Sequence, residues 1–239
     1  AYRVSLEAVE TRHGQGPEPD ITGSMNFSGV IHLGRLGTDE PAKATLTLSQ
    51  IDEITFTVAE QDALGVDELH TIPGQAVISY SKNNLVEGVA CSPETAKPVC
   101  IILDAIARRS QLSAPGSVQP NSRWGRSEYS PSYETVTFYS LEHLDSDKAV
   151  IHKRYHHYNR LMGLDVSVLP QAVEALTSYT VDLDGRVDTI INQEKTVIGR
   201  QDNHDFLSLD AELDMAFLGN VPRSQANVLT DNFYELNQN

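Results

Sequence analysis

The chain has 239 residues, 40% hydrophobic and 21% charged, enough to bury a sizeable core as one large domain or two small ones. Thirty-three acidic against 18 basic residues give a formal net charge of −15, which argues against nucleic acid or anionic headgroups as main partners. No run approaches the ~18 apolar residues of a membrane-crossing helix, and no signal peptide opens the sequence, as expected of a mature chain.

Tyr2, Val4, Leu6 and Ala8 alternate with Arg3, Ser5 and Glu7, the period-two mark of a half-buried strand. After a Gly/Pro loop at 13–20, a long strand carries Ile21, Met25, Phe27, Ile31 and Leu33 on one face. Gly23 and Gly29 fall on that apolar face, where a missing side chain lets a sheet bend or another backbone approach. Asn26-Phe27-Ser28 is a formal glycosylation triplet, but its mid-strand place gives it little weight. Past a loop at 37–41, Ala44, Leu46, Leu48, Ile54, Phe56 and Val58 share a phase that Gln50 and Asp52 interrupt. Either two short strands meet there or one strand bulges. Segments 76–81 and 85–90 make a hairpin about Lys82-Asn83-Asn84, since asparagine tolerates the left-handed turn conformation.

That hairpin delivers the chain to the only convincing helix, from Pro98 to about Leu112. Proline suits a first helical turn, because the N–H it lacks would be unpaired there. Val99, Ile102, Leu103 and Ile106 follow the spacing of a buried face, which Ile101 and Ala105 widen. Cys91 and Cys100 are the only cysteines. Bridged, they would close a loop of about ten residues and stabilise by roughly 2.5–3 kcal/mol, implying an oxidising compartment. Reduced, Cys100 is an ordinary buried thiol; the pair alone cannot complete a zinc site.

The stretch 113–122 is the most linker-like, but long alternating strands lie on both sides of it, so one sheet interrupted by a helix is expected. Strands resume at 133–141 and 149–161 about Asp145-Ser146-Asp147; 162–171 is irregular, and 172–176 could begin as a helical turn. Asp184-Gly185 then turns a hairpin between Tyr179, Val181, Leu183 and Val187, Thr189, Ile191. In the last strand Leu207, Leu209, Ala211, Leu213, Met215 and Phe217 point one way, with Ser208, Asp210, Glu212 and Asp214 opposite. The expected organisation is one β-rich domain over 1–219 and an extended tail or linker over 220–239.

The strand from Lys148 to Arg160 is unusually basic for an acidic chain. The two-residue period puts His152, Arg154, His156, Tyr158 and Arg160 on one face, as a solvated face paired with the acidic Asp210–Asp214 strand or as a partner-binding surface. Metal binding by His152 and His156 is disfavoured, since residues four apart on a strand are about 13 Å apart. The run from Asp182 to Asp188 lacks the spacing and closing glutamate of a calcium loop. With no Gly-x-Ser-x-Gly elbow, phosphate-cradling loop or His-Glu-x-x-His, nothing points to an enzyme or a cofactor.

The order of elements (a strand opening at Tyr2, long meandering strands, the hairpin at 77–89, a helix after an acidic loop, then more long strands) resembles the N-terminal β-barrel of the large lipid transfer proteins of the vitellogenin and microsomal triglyceride transfer protein type. The matching stretch runs from Ser79-Tyr80-Ser81 through Ile101-Ile102-Leu103-Asp104-Ala105-Ile106, although Ile101-Ile102-Leu103 stands where that family has charged residues. A curved sheet around a helix is also similar to bacterial periplasmic lipoprotein carriers. The resemblance implies a long curved antiparallel sheet or barrel wrapped around the helix. It also implies a non-enzymatic protein, periplasmic, outer-membrane-associated or extracellular, that carries a lipid or other apolar ligand or docks another protein. Core or ligand contacts would come from Val99, Ile102, Leu103, Ile106, Phe27, Ile31, Phe56, Leu209, Leu213 and Phe217.

Overall fold

Period-two alternation becomes strand pairing throughout the computed structural model, which describes residues 1–14, 19–36, 43–59, 61–62, 74–113, 121–129, 133–161, 164–199, 205–220 and 234–235. The strands are β1 (Tyr2–Arg12), β2 (Ile21–Leu36), β3 (Lys43–Val58), β4 (Gln61–Asp62), β5 (Gln75–Tyr80) and β6 (Val86–Cys91). After the helix α1 (Lys97–Arg109) come β7 (Arg123–Tyr129), β8 (Tyr133–Leu144), β9 (Lys148–Leu161), β10 (Leu164–Asp165), β11 (Gln171–Asp182), β12 (Val187–Gly199), β13 (Asp205–Phe217) and β14 (Tyr234–Glu235). They form one antiparallel sheet in the order β14-β6-β5-β3-β2-β1-β13-β12-β11-β9-β8-β7, with β4 on β3 and β10 on β9. Strands make up 71% of the described residues, and the sheet curls into a nearly closed barrel around the single helix found among them.

One row of directly opposed residues explains the interior. Tyr139, Lys153, Thr177, Asn192, Leu213, Leu6, Phe27 and Ile54 follow one another across β8, β9, β11, β12, β13, β1, β2 and β3. All eight are buried, and between β12 and β13 the row changes from polar to apolar. The helix lays Val99, Ile102, Leu103 and Ile106 into the main apolar cluster with Leu6, Phe27, Ile31 and Leu213. Each such side chain contributes roughly 1.5–3 kcal/mol by leaving water. A second apolar cluster of Tyr155, Tyr158, Leu161, Val166, Ala175, Ile198 and Leu207 draws on β9, β11, β12, β13 and the turn at Val166.

Pro98 sits in the first turn of α1, and Cys100 is disulfide-bonded to Cys91 at the end of β6. The helix stops at Arg109, three residues before the expected Leu112, where the Ser110 N–H still reaches the Ile106 carbonyl at 2.9 Å. The chain then leaves the helix so that Gln111 and Ser113 can meet the barrel wall. Residues 172–176, open to a helical turn from sequence, are strand throughout, because β12 pairs with each of them and β9 joins at Leu176. The expected loop at 37–41 and most of the linker-like stretch 113–122 lie outside the described residues.

The interruption near Gln50 is one strand with two bulges: β3 slips against β2 between Ser28 and Gly29 and again between Val30 and Ile31. A Cβ on Gly29 would lie 2.2 Å from the Gln50 carbonyl oxygen, whereas on Gly23 the nearest atom is at 3.7 Å. Gly29→Ala should therefore destabilise by roughly 1–3 kcal/mol, the usual cost of overpacking, while Gly23→Ala is tolerated. Urea midpoints of the two variants check this, and equal midpoints would refute the close-approach reading.

Candidate functional site

Beyond the C-terminal end of α1 the barrel wall is polar and buried. Glu128 of β7 and Lys153 of β9 have no side-chain exposure and pair at 2.9 Å. Glu128 also accepts from Gln111 Nε2 at 2.6 Å and from the Tyr139 hydroxyl at 2.6 Å. Two strands away Glu194 of β12, equally enclosed, pairs with Arg109 at 2.7 Å and accepts the Tyr158 hydroxyl. Tyr179 donates to the Gln111 carbonyl at 2.7 Å, tying the first strand after the irregular stretch to the end of the helix. Two carboxylates and two cations thus neutralise each other inside the fold, as buried charges must.

Burial sets the proton affinities here. It pushes the phenols of Tyr139, Tyr155, Tyr158 and Tyr179 well above their ordinary range, and Glu128 and Glu194 push the same way on several of them. Desolvation lowers the Lys153 ammonium, with Glu128 holding it partly back up. Burial raises Asp104, against the pull of Arg108 beside it. Arg109 Nε, Thr137 Oγ1, Tyr155 Oη and Asn192 Oδ1 are buried without a protein partner among the described residues.

Outside, β9 only partly follows its expected face. Arg154, His156 and Arg160 are exposed and His152 half-buried, but Tyr158 points inward. The cause is two register slips: Val136 faces His157 and Thr137 faces Tyr155, so His156 is an extra residue and the phase inverts after it, until a second extra residue, Asn159, turns Arg160 outward again. The expected pairing of this basic strand with Asp210, Glu212 and Asp214 does not occur. β9 lies between β8 and β11, while β13 lies between β12 and β1. A surface depression of about 580 Å³ separates them, lined by Arg154, Glu174, Lys195, Asp210 and Glu212 among others. No group of three or more His, Cys, Asp or Glu among the described residues could hold a metal ion.

Of the apolar candidates, Val99, Ile102, Leu103, Ile106, Phe27, Ile31 and Leu213 meet in the helix-centred cluster. Leu209 instead packs against the second cluster, and Phe56 is half-buried. Phe217, also half-buried, packs at a tilt against Tyr2, ring centroids 5.4 Å apart, and lies under the Arg186 guanidinium at 4.5 Å. Sequence reasoning missed Glu128 because it missed β7, whose inward positions are Trp124, Arg126 and Glu128 and show no apolar period. Glu194 carried no signal at all. Lys153 gave a faint one, as a cation in phase with Ile151 and Tyr155.

In its fold, a nearly closed antiparallel barrel around one helix among the described residues, the chain resembles lipovitellin, a vitellogenin-type lipid transfer protein. A solved structure of lipovitellin, described by its lipid–protein interactions, matches 98% of this chain at a TM-score of 0.58 and 15% identity. The chain spans 26% of that lipovitellin chain. No family model and no curated protein sequence matches. Among the described residues no helix is long and apolar enough to cross a membrane.

Proposed function

We propose that this chain is a non-enzymatic binding module of the lipid-carrying kind, acting in the extracellular space or cell envelope and holding an acyl or other apolar ligand within its curved sheet. The observation that carries this is the likeness to lipovitellin over almost the whole chain, together with an apolar half-barrel centred on α1. Val99, Ile102, Ile106, Phe27 and Leu213 are the contacts a ligand would share with the helix. The buried Cys91–Cys100 bridge supports an oxidising compartment. Organic extraction of freshly purified protein should release a lipid detectable by mass spectrometry, and the stripped protein should bind cis-parinaric acid. A clean extract together with no binding would sink the carrier reading.

A second reading, a docking or structural domain of a larger assembly, is favoured by the enclosure of those same apolar residues, most with no exposure. Its contact surface would be the exposed Arg154, His156 and Arg160 on β9. A clean extract shifts the weight to this reading.

A further inference from the structure

We propose that the barrel opens laterally between β6 and β7, and that Arg108 and Gln111 of the helix end are the clasp that holds this line shut. Every other neighbouring pair along the circumference is joined by a strand ladder; among the described residues neither β6 nor β14, which covers β6 only at Ala90 and Cys91, shares one with β7. Two side chains stand in for it. Gln111 Oε1 accepts the Val86 N–H at 2.9 Å, and Arg108 Nη1 donates to the Val86 carbonyl at 3.4 Å. On the other bank the same Nη1 donates to the Tyr129 carbonyl at 3.1 Å, and Gln111 Nε2 to Glu128 at 2.6 Å. Asp104, one turn earlier, orients the Arg108 guanidinium through Nε at 2.8 and 3.0 Å. Arg108 and Gln111 are 3% and 4% exposed, so the clasp is built into the wall rather than laid over it.

The line is weak by construction. A ladder distributes its hydrogen bonds over many residues, whereas among the described residues this seam rests on two side chains and opens at a lower cost than a paired strand. β7 carries Arg123, Arg126 and the inward Glu128, charges that discourage strand pairing with another chain and leave the edge free to part. The Cys91–Cys100 bridge ties the start of α1 to β6, so the helix moves with that bank and parts from β7. Opening there uncovers the apolar face of α1, and an acyl chain enters beside it; this last step rests on the carrier reading above.

Hydrogen exchange read by mass spectrometry tests the seam in the full chain. Gln111→Ala and Arg108→Lys should each speed exchange at 86–89 and 123–129 tenfold or more, with β1 and β13 unchanged. Exchange unchanged at the seam, or raised equally in β1, overturns the proposal. Should a variant fail to fold, wild-type exchange in low urea decides. Seam amides should open with little urea dependence, distinct from β1; one shared global isotherm defeats the idea. The ligand step has its own readout, the association rate of cis-parinaric acid, expected to rise in the variants. A wild-type protein that binds none defeats the carrier reading, while the exchange result still decides the seam.

Discussion

Between pH 10 and pH 11.5 the protein should lose its strand structure in one cooperative step. Burial raises the phenols of Tyr80, to about 12, and of Tyr133, Tyr139, Tyr155, Tyr158 and Tyr179. Below pH 10 both the folded and unfolded chains keep these protons, and stability is indifferent to them. Above it only the unfolded chain releases them, so it binds fewer protons than the folded one and stability falls as pH rises. Each group costs about 1.4 kcal/mol per pH unit beyond its ordinary value, so six at pH 11 remove on the order of 8 kcal/mol. That is comparable with the whole stability of a typical domain, about 5–15 kcal/mol. Lys153 acts in the opposite sense, since its folded value is lowered and rising pH relieves its burial, but it is one group against six. Phenolate absorbance near 295 nm should rise in step with loss of the strand signal in circular dichroism. Absorbance that climbs fully while the strand signal persists would show that these rings are not enclosed as described.

What could be read from the sequence was whatever repeats at period two with apolar residues on one side. β1, β2, β9, β12 and β13 were visible that way, as was α1 by its own period; the hairpin turns showed through Asn84, with φ of 60°, and Gly185, with φ of 81°. β7 was invisible because its inward face serves a polar layer, and a strand that buries Glu128 has no hydrophobic alternation to show. Tyr158 was placed on the wrong face for a related reason. A single extra residue at His156 inverts the phase, and bulges leave no mark in composition. The same limit hid the candidate site: Glu194, Arg109 and Glu128 come together only once the five strands from β12 to β7 and the helix end are assembled.

Removing one member of the Glu128–Lys153 pair should be among the most damaging single changes available to the chain. Glu128→Ala takes the carboxylate from three donors at once, the Lys153 ammonium and the side chains of Gln111 and Tyr139, and leaves a buried cation without its counter-charge. Losses from breaking such pairs run to roughly 3–5 kcal/mol. For a chain of this size that is about 6–20 °C in Tm. Lys153→Met alone strands the carboxylate instead, though Gln111 and Tyr139 still donate to it, so its cost should be the smaller. The double variant Glu128→Gln, Lys153→Met keeps the shape, removes both charges and leaves the glutamine able to meet Tyr139 and Gln111. It should lie within about 2 kcal/mol of wild type, because replacing a whole buried pair is often neutral where halving it is not. Urea denaturation of wild type, Glu128→Gln, Lys153→Met and the double variant closes the cycle, with an expected coupling of roughly 1–3 kcal/mol. Independent, additive losses would mean that the two charges do not sense each other across β7, β8 and β9. The polar layer would then owe its order to the tyrosines, and β7 would be held by its ladder with β8 and by Arg108.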